Sequence, residues 1–220
     1  MNRTLAIVLF CITALPVLCQ NTASLHGAVA TIWSPQPLLK FDNVLPEATV
    51  RKQMVTSLRV SDVTVTLEHT ELQGMQTRFG GEVGSEGDAA TSLGWLCLHG
   101  SDAAGPWVLW LESGEMDGPN IGAFQWRRVA STAEFDERCQ GLPDGKSKVE
   151  LPISLRLGIP EAEVVRMLGR PSSRKDGTLP YEHEHKESIR GESYTSLNVV
   201  IVVIRNGVVW AIEAHQTTMS

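Results

Sequence analysis

Thr70-Glu-Leu-Gln-Gly-Met-Gln-Thr-Arg-Phe-Gly80 and Ile159-Pro-Glu-Ala-Glu-Val-Val-Arg-Met-Leu-Gly169 read as one pattern written twice. In each, apolar residues at helical spacing run into a bulky residue followed by glycine. These are Leu72, Met75 and Phe79 before Gly80, then Val164, Met167 and Leu168 before Gly169. A short apolar run follows each copy, Trp95 to His99 in the first and Leu179 to His183 in the second. Repetition at such a period marks two copies of one structural unit that pack together. The expectation is an α+β fold of two tandem units, each a short helical segment packed on a three- to four-stranded antiparallel sheet.

Working outward from the first copy, Val63, Val65 and Leu67 alternate with Thr64 and Thr66, the signature of a half-buried strand. Thr70 with Gln73 matches a capping box, and Gly80 stands where a helix ends. Gly74 inside that helix costs about 1 kcal/mol relative to alanine, which argues for a short element. Gly80 to Asp88 reads as a loop, and three strands are expected over 95–99, 107–112 and 121–128. The polar stretch ending in Pro143-Asp144-Gly145 is a turn signal and sets the boundary between the units, 46–145 and 146–220.

The second unit opens with Leu151, Ile153, Leu155 and Leu157 in strict alternation. Pro160 begins its helix without loss, because the missing N–H has no partner there anyway. Glu161 and Glu163 favour the positive end of the helix dipole, and Gly169-Arg170-Pro171 ends it. A polar loop from Ser172 to Gly177 leads to Tyr181. The β-branched run Leu197 to Ile204, the Asn206-Gly207 pair and the return Val208 to Ala214 predict a buried central hairpin with a type I′ turn.

Bulk properties narrow the class. The chain has 220 residues, 42% hydrophobic and 20% charged, which suits a packed globular protein. Its formal charge of -6 and lack of a basic stripe argue against a nucleic-acid partner. Residues 1–19 have the architecture of a secretory signal peptide: Arg3, an apolar run from Leu5 to Leu15, then Pro16. Val17-Leu18-Cys19 suits cleavage after Cys19, with Ala23 as the alternative. A bacterial lipoprotein would instead keep and acylate Cys19, although Leu18 occupies the place of the usual small residue. Residues 20–45, with Pro35 and Pro37, read as an N-terminal arm or linker. Export leaves Cys97 and Cys139, expected as one disulfide whose loop of roughly forty residues is worth about 4 kcal/mol in the chain-entropy model.

The run Leu155-Arg-Leu-Gly-Ile-Pro-Glu-Ala-Glu-Val-Val-Arg-Met-Leu-Gly-Arg-Pro171 resembles the outer-membrane-lipoprotein (SmpA/OmlA) and β-lactamase-inhibitor-protein-like fold. That group shows Leu-x-Leu-Gly-Met, a capping hydroxyl, Glu-Val, and later Leu-Gly-x-Pro. Tyr181 and the Asn206-Gly207 hairpin fall where its pattern has them. The resemblance covers about residues 150–216, and 60–130 weakly through the repeat. Pro160 replaces the capping hydroxyl, and no inhibitory-loop residue can be matched. What the resemblance implies is a tandem α+β architecture and a protein-binding or envelope-assembly role, by analogy of fold.

Catalytic chemistry finds little footing. His183-Glu-His185 puts two imidazoles on one side of a strand, but a third metal ligand is missing at short range. No Gly-x-Ser-x-Gly elbow occurs, and Ser92 and Ser113 lie in ordinary strand or turn contexts. Gly80-Gly81 and Gly84 have no following Lys-Ser or Lys-Thr for phosphate. Glu112 and Glu115 near Asp88 could form a carboxylate pair for glycosidic chemistry, but carboxylates in loops are usually solvated and nothing in the sequence sets their separation. No catalytic, cofactor or metal site is assigned. Trp95, Trp107, Trp110, Trp126, Tyr181 and Trp210 fall on or beside predicted strands, where core packing is expected for at least half of them. Any that are exposed would anchor a partner. The reading is therefore a periplasmic or secreted non-catalytic module that binds an envelope or secreted protein. The alternative is an outer-membrane lipoprotein with a structural role, touching the membrane only if Cys19 is lipidated.

Overall fold

A computed structural model describes residues 32–36, 38, 55–88, 91–143, 147–189 and 192–219. The expected signal peptide, its cleavage site and Cys19 lie outside these residues. In chain order the elements are β1 (Ser57–Val60), β2 (Val63–Thr66), α1 (Leu72–Phe79), β3 (Val83–Glu86), β4 (Leu93–Asp102), β5 (Gly105–Gly114) and β6 (Ala123–Arg128). There follow β7 (Gln140–Gly141), β8 (Val149–Glu150), α2 (Glu161–Leu168), β9 (Thr178–Ile189), β10 (Glu192–Arg205) and β11 (Val208–Met219). The fold is α+β, mostly antiparallel, with two helices among the described residues.

The main sheet runs β3-β4-β5-β6-β11-β10-β9, and its seven strands pair antiparallel throughout. β7 adds to β4 in parallel. The pairing of β6 with β11 stitches the early and late parts of the chain into one continuous sheet. A second sheet, β2-β1-β8, joins residues on either side of the expected boundary at 145/146, since Val149 and Glu150 pair with Val60 and Arg59.

One face of the main sheet carries the principal core. Leu109, Leu111, Phe124, Ile212, Val200 and Val202 contribute to it, because side chains alternate between faces along each strand. Both helices add to this cluster, α1 through Leu72 and Met75, α2 through Val164 and Leu168. Helices of eight residues are marginal alone, so this apolar stripe is what holds each of them.

The helix ends correspond closely. Glu71 and Pro160 are the extended N-caps, each in an isolated bridge to the sheet region, and Gly80 and Gly169 close the helices at φ 82° and 89°. The expected capping box is not formed. Glu71, not Thr70, is the N-cap of α1, and the Thr70 hydroxyl instead accepts the Thr66 N–H at 2.9 Å. Pro160 likewise precedes the first helical turn rather than starting it.

Other local expectations meet mixed outcomes. The Asn206-Gly207 turn has φ 52° and 77°, the two left-handed positions of a type I′ turn. The segment 80–88, read as a loop, contains β3. Its glycine is the reason: Gly84 lies opposite Trp95, and a Cβ there would meet the indole at 2.3 Å. Gly100 and Trp107 make the same pairing one strand over, at 2.5 Å. In both, a bare backbone provides the floor for a cross-strand indole. The alternation from Leu151 to Leu157 forms no strand. Leu155, Leu157 and Ile159 are nevertheless buried in turn as the extended chain runs to its bridge at Pro160.

Candidate functional site

Five of the six aromatic residues considered as partner anchors are interior. Trp95, Trp107, Trp110, Trp126 and Tyr181 are at most 3% exposed, so none presents a surface to a partner in this state. Trp107 and Trp126 meet edge to face in the principal core with centroids 6.3 Å apart. Burial pushes the Tyr181 hydroxyl up to about 12, helped by the charge of Glu161. The strands have both faces covered, and apolar cover is the cheapest use of an indole.

Trp95 and Trp110 belong to the opposite face, in a second cluster with Cys97, Val108, Val129 and Cys139. Cys97 and Cys139 form a disulfide-compatible pair with Cα atoms 4.6 Å apart, 42 positions apart in sequence. The pair ties β4 to the segment before β7. Beside it, part of the N-terminal arm crosses this face. Ile32 bridges Phe135, the Trp33 ring meets Trp95 edge to face at 5.9 Å, and the Trp33 carbonyl accepts the Trp110 indole N–H at 2.8 Å. Arg138 stacks over the outer side of Trp33 at 4.2 Å.

Farther along the same face lies a buried polar cluster from β5, β6 and β11. Glu112, Gln125 and Glu213 are each at most 9% exposed. Gln125 donates to Glu213 at 3.0 Å and to the Gln36 carbonyl at 2.7 Å, while the Leu38 N–H donates to Glu213 at 3.1 Å. Glu213 also pairs with His215. Burial, then the charge of Glu213, pushes the Glu112 carboxyl up to about 8, partly offset by His215. Burial alone would lower His215, but its bond to Glu213 and the charges of Glu213, Glu112 and Asp117 raise it. This constellation holds the arm: two of its side chains end on arm backbone. The carboxylate set considered from the sequence does not assemble, since Glu115 and Asp88 are exposed while Glu112 is interior. His183 and His185 lie on β9, and among the described residues no cluster of three metal-ligating side chains forms.

The end of the sheet bearing the hairpin turns offers a recess lined by cationic side chains. A groove of about 590 Å³ opens between the β4–β5 turn at Ala104 and the β10–β11 turn at Asn206. Arg127, Arg205, Trp210 and Val208 line it. A bulge shapes it: Val203 faces Ala211 while Ile204 faces Val209, so Trp210 is the extra residue on β11. Such a bulge re-aims a side chain. Here Arg205 stacks on the Trp210 ring at 3.4 Å, and Arg127 lies 5.8 Å from Trp210 and 4.7 Å from Trp110. The buried Arg127 Nε has no hydrogen-bond partner among the described residues. Arg128 differs, giving its protons to the Gly105 carbonyl and Asp102, both at 2.8 Å.

No protein-family model, curated protein or solved structure matches the chain. Of the groove residues, Trp210 stood among the aromatics on or beside the expected strands, but its neighbours were not legible beforehand. Arg127 and Arg205 are ordinary strand-end cations in the sequence, and the bulge that brings Trp210 to them has no signal in a single chain. The nearest hint was Trp210 after the Asn206-Gly207 turn, close to Arg205.

Proposed function

We propose that the chain is an exported, non-catalytic module that binds another envelope or secreted protein through the hairpin end of its sheet. The observation that carries this reading is the groove between the two hairpin turns, where two arginines and a re-aimed tryptophan sit at an accessible surface. Trp and Arg are the residues that most often anchor protein interfaces. We read the architecture as two tandem units akin to the β-lactamase-inhibitor-like and outer-membrane-lipoprotein-like folds. The matched caps of α1 and α2, and a sheet order that runs β3 to β6 and returns through β11 to β9, support that reading. The signal-like first nineteen residues and the Cys97–Cys139 pair fit an oxidising, extracytoplasmic setting.

Site-specific photocrosslinking tests the reading. A benzophenone amino acid at Val208, in the groove, should capture a discrete partner from the intact envelope. The same probe at Ser188, on the far part of β9, should not. Equal capture at both positions, or none at Val208, would overturn the proposed recognition end.

A further inference from the structure

The groove at the hairpin end is cationic in a chain whose formal charge is -6. Arg128 is paired with Asp102 and also donates to the Gly105 carbonyl, so its charge is already matched. Arg127 and Arg205 have no hydrogen-bonded carboxylate among the described residues. Glu134 is the acidic residue in the groove lining, and its Oε1 already accepts the Ser131 N–H at 2.9 Å. Burial costs Arg127 hydration, the charge of Glu134 offsets part of that cost, and repulsion from Arg205 adds to it again. Stacking on Trp110 and Trp210 orients both groups but leaves their in-plane N–H donors free to point elsewhere. A ligand that supplies one planar anion removes the repulsion and satisfies those donors together.

We infer that this groove takes a carboxylate borne by the partner's chain, clasped by Arg127 and Arg205, with the neighbouring apolar side chain seated on Trp210 and Val208. The inference rests on the protein-binding reading above and names the chemistry of that same end. Guanidinium forks match carboxylates two bonds at a time. The overall negative charge of the chain favours a singly charged group over a polyanion, which the surrounding field repels more strongly. The walls are partly apolar, with Val208, Val209, Ala130 and Val129 beside Trp210. A carboxylate next to an aliphatic residue, as at a chain end, fits that mixture better than a hydrated inorganic ion.

The test titrates N-acetyl-Val-Leu with a free carboxylate, the same peptide as its amide, and inorganic phosphate into the full mature chain. Binding is read by the indole N–H resonances, with Trp210→Phe identifying the Trp210 signal. The free acid should bind at least about tenfold more tightly than the amide, the scale of one charge-assisted pair. Arg205→Gln should lose about the same factor. Arg205 is exposed, so this variant keeps the fold, which its unfolding curve verifies. Equal binding of acid and amide, unchanged binding by Arg205→Gln, phosphate binding as tight as the acid, or no binding by any probe would each overturn the inference. Crosslinking at Val208 separates the two levels. Partner capture that survives in Arg205→Gln rejects the carboxylate and leaves the binding module standing, whereas loss of capture in the unaltered chain rejects the module itself.

Discussion

Replacing Glu112 by Gln should flatten the dependence of stability on pH. In the native chain the Glu112 carboxyl titrates at about 8 rather than 4.5, chiefly because it is buried and secondarily because Glu213 is near. A native-state value above the unfolded one means that the folded protein holds the proton more tightly. The associated stability is complete below 4.5 and is lost as pH rises toward about 8. At about 1.36 kcal/mol per unit, the loss across that window is of order 5 kcal/mol. His215 is also raised, so it acts with the same sign, its contribution fading as pH rises above its ordinary value of 6.5. Urea unfolding at several values from about pH 5 to about pH 8 measures the sum. The native chain should lose stability steeply over this range. Glu112→Gln should lose at least about 2 kcal/mol less, keeping only the His215 part and the shared background. Parallel curves for the two proteins, within about 0.5 kcal/mol, would refute the assignment of a neutral buried carboxyl at Glu112.

Two further outcomes follow from the same face. Linking Cys97 to Cys139 should make their tryptic peptides run together without reductant, and Cys139→Ser should cost about 2–4 kcal/mol by denaturant unfolding; two free thiols would refute the linkage. Gly84→Ala should lower stability by about 1–3 kcal/mol, because its methyl would enter the Trp95 ring at 2.3 Å, and the double variant with Trp95→Ala should lose that specific cost.

What the sequence made legible depended on signals carried by neighbours along the chain. Phe79-Gly80 and Leu168-Gly169 do end two helices, because a left-handed cap follows from glycine itself. Asn206-Gly207 and the β-branched run before it did specify an interior hairpin, for the same local reason. Cys97 and Cys139 could be paired by elimination once export was assumed. The failures are contacts between distant strands. The tryptophans on β4, β5 and β6 were candidates for the surface because alternation places a residue on one face or the other without saying what covers that face. Here Trp33 and its neighbours cover one face and two helices pack on the other. β3 was missed because its pairing depends on Trp95 filling the space above Gly84. The groove was missed because it requires a register change between Val203 and Ile204.

That register change also separates two jobs on one face. Where β5, β6 and β11 stay in regular register, Gln125 and Glu213 point at arm backbone and the face is closed. One bulge later, Trp210 turns toward Arg127 and Arg205, and the face opens into a recess at the turns. A regular β11 would shift every side chain beyond the bulge to the other face. Trp210 would then point into the helix-covered side, and the two arginines would lose their common ring. The recess thus depends on a single additional residue in β11, held on its outer side by the bonds from Gly158 N–H to the Val209 carbonyl and from Val209 N–H to the Ile159 carbonyl. Those bonds come from the chain leading into α2. That segment, anchored in the core through Leu157 and Ile159, therefore fixes the backbone beside the recess.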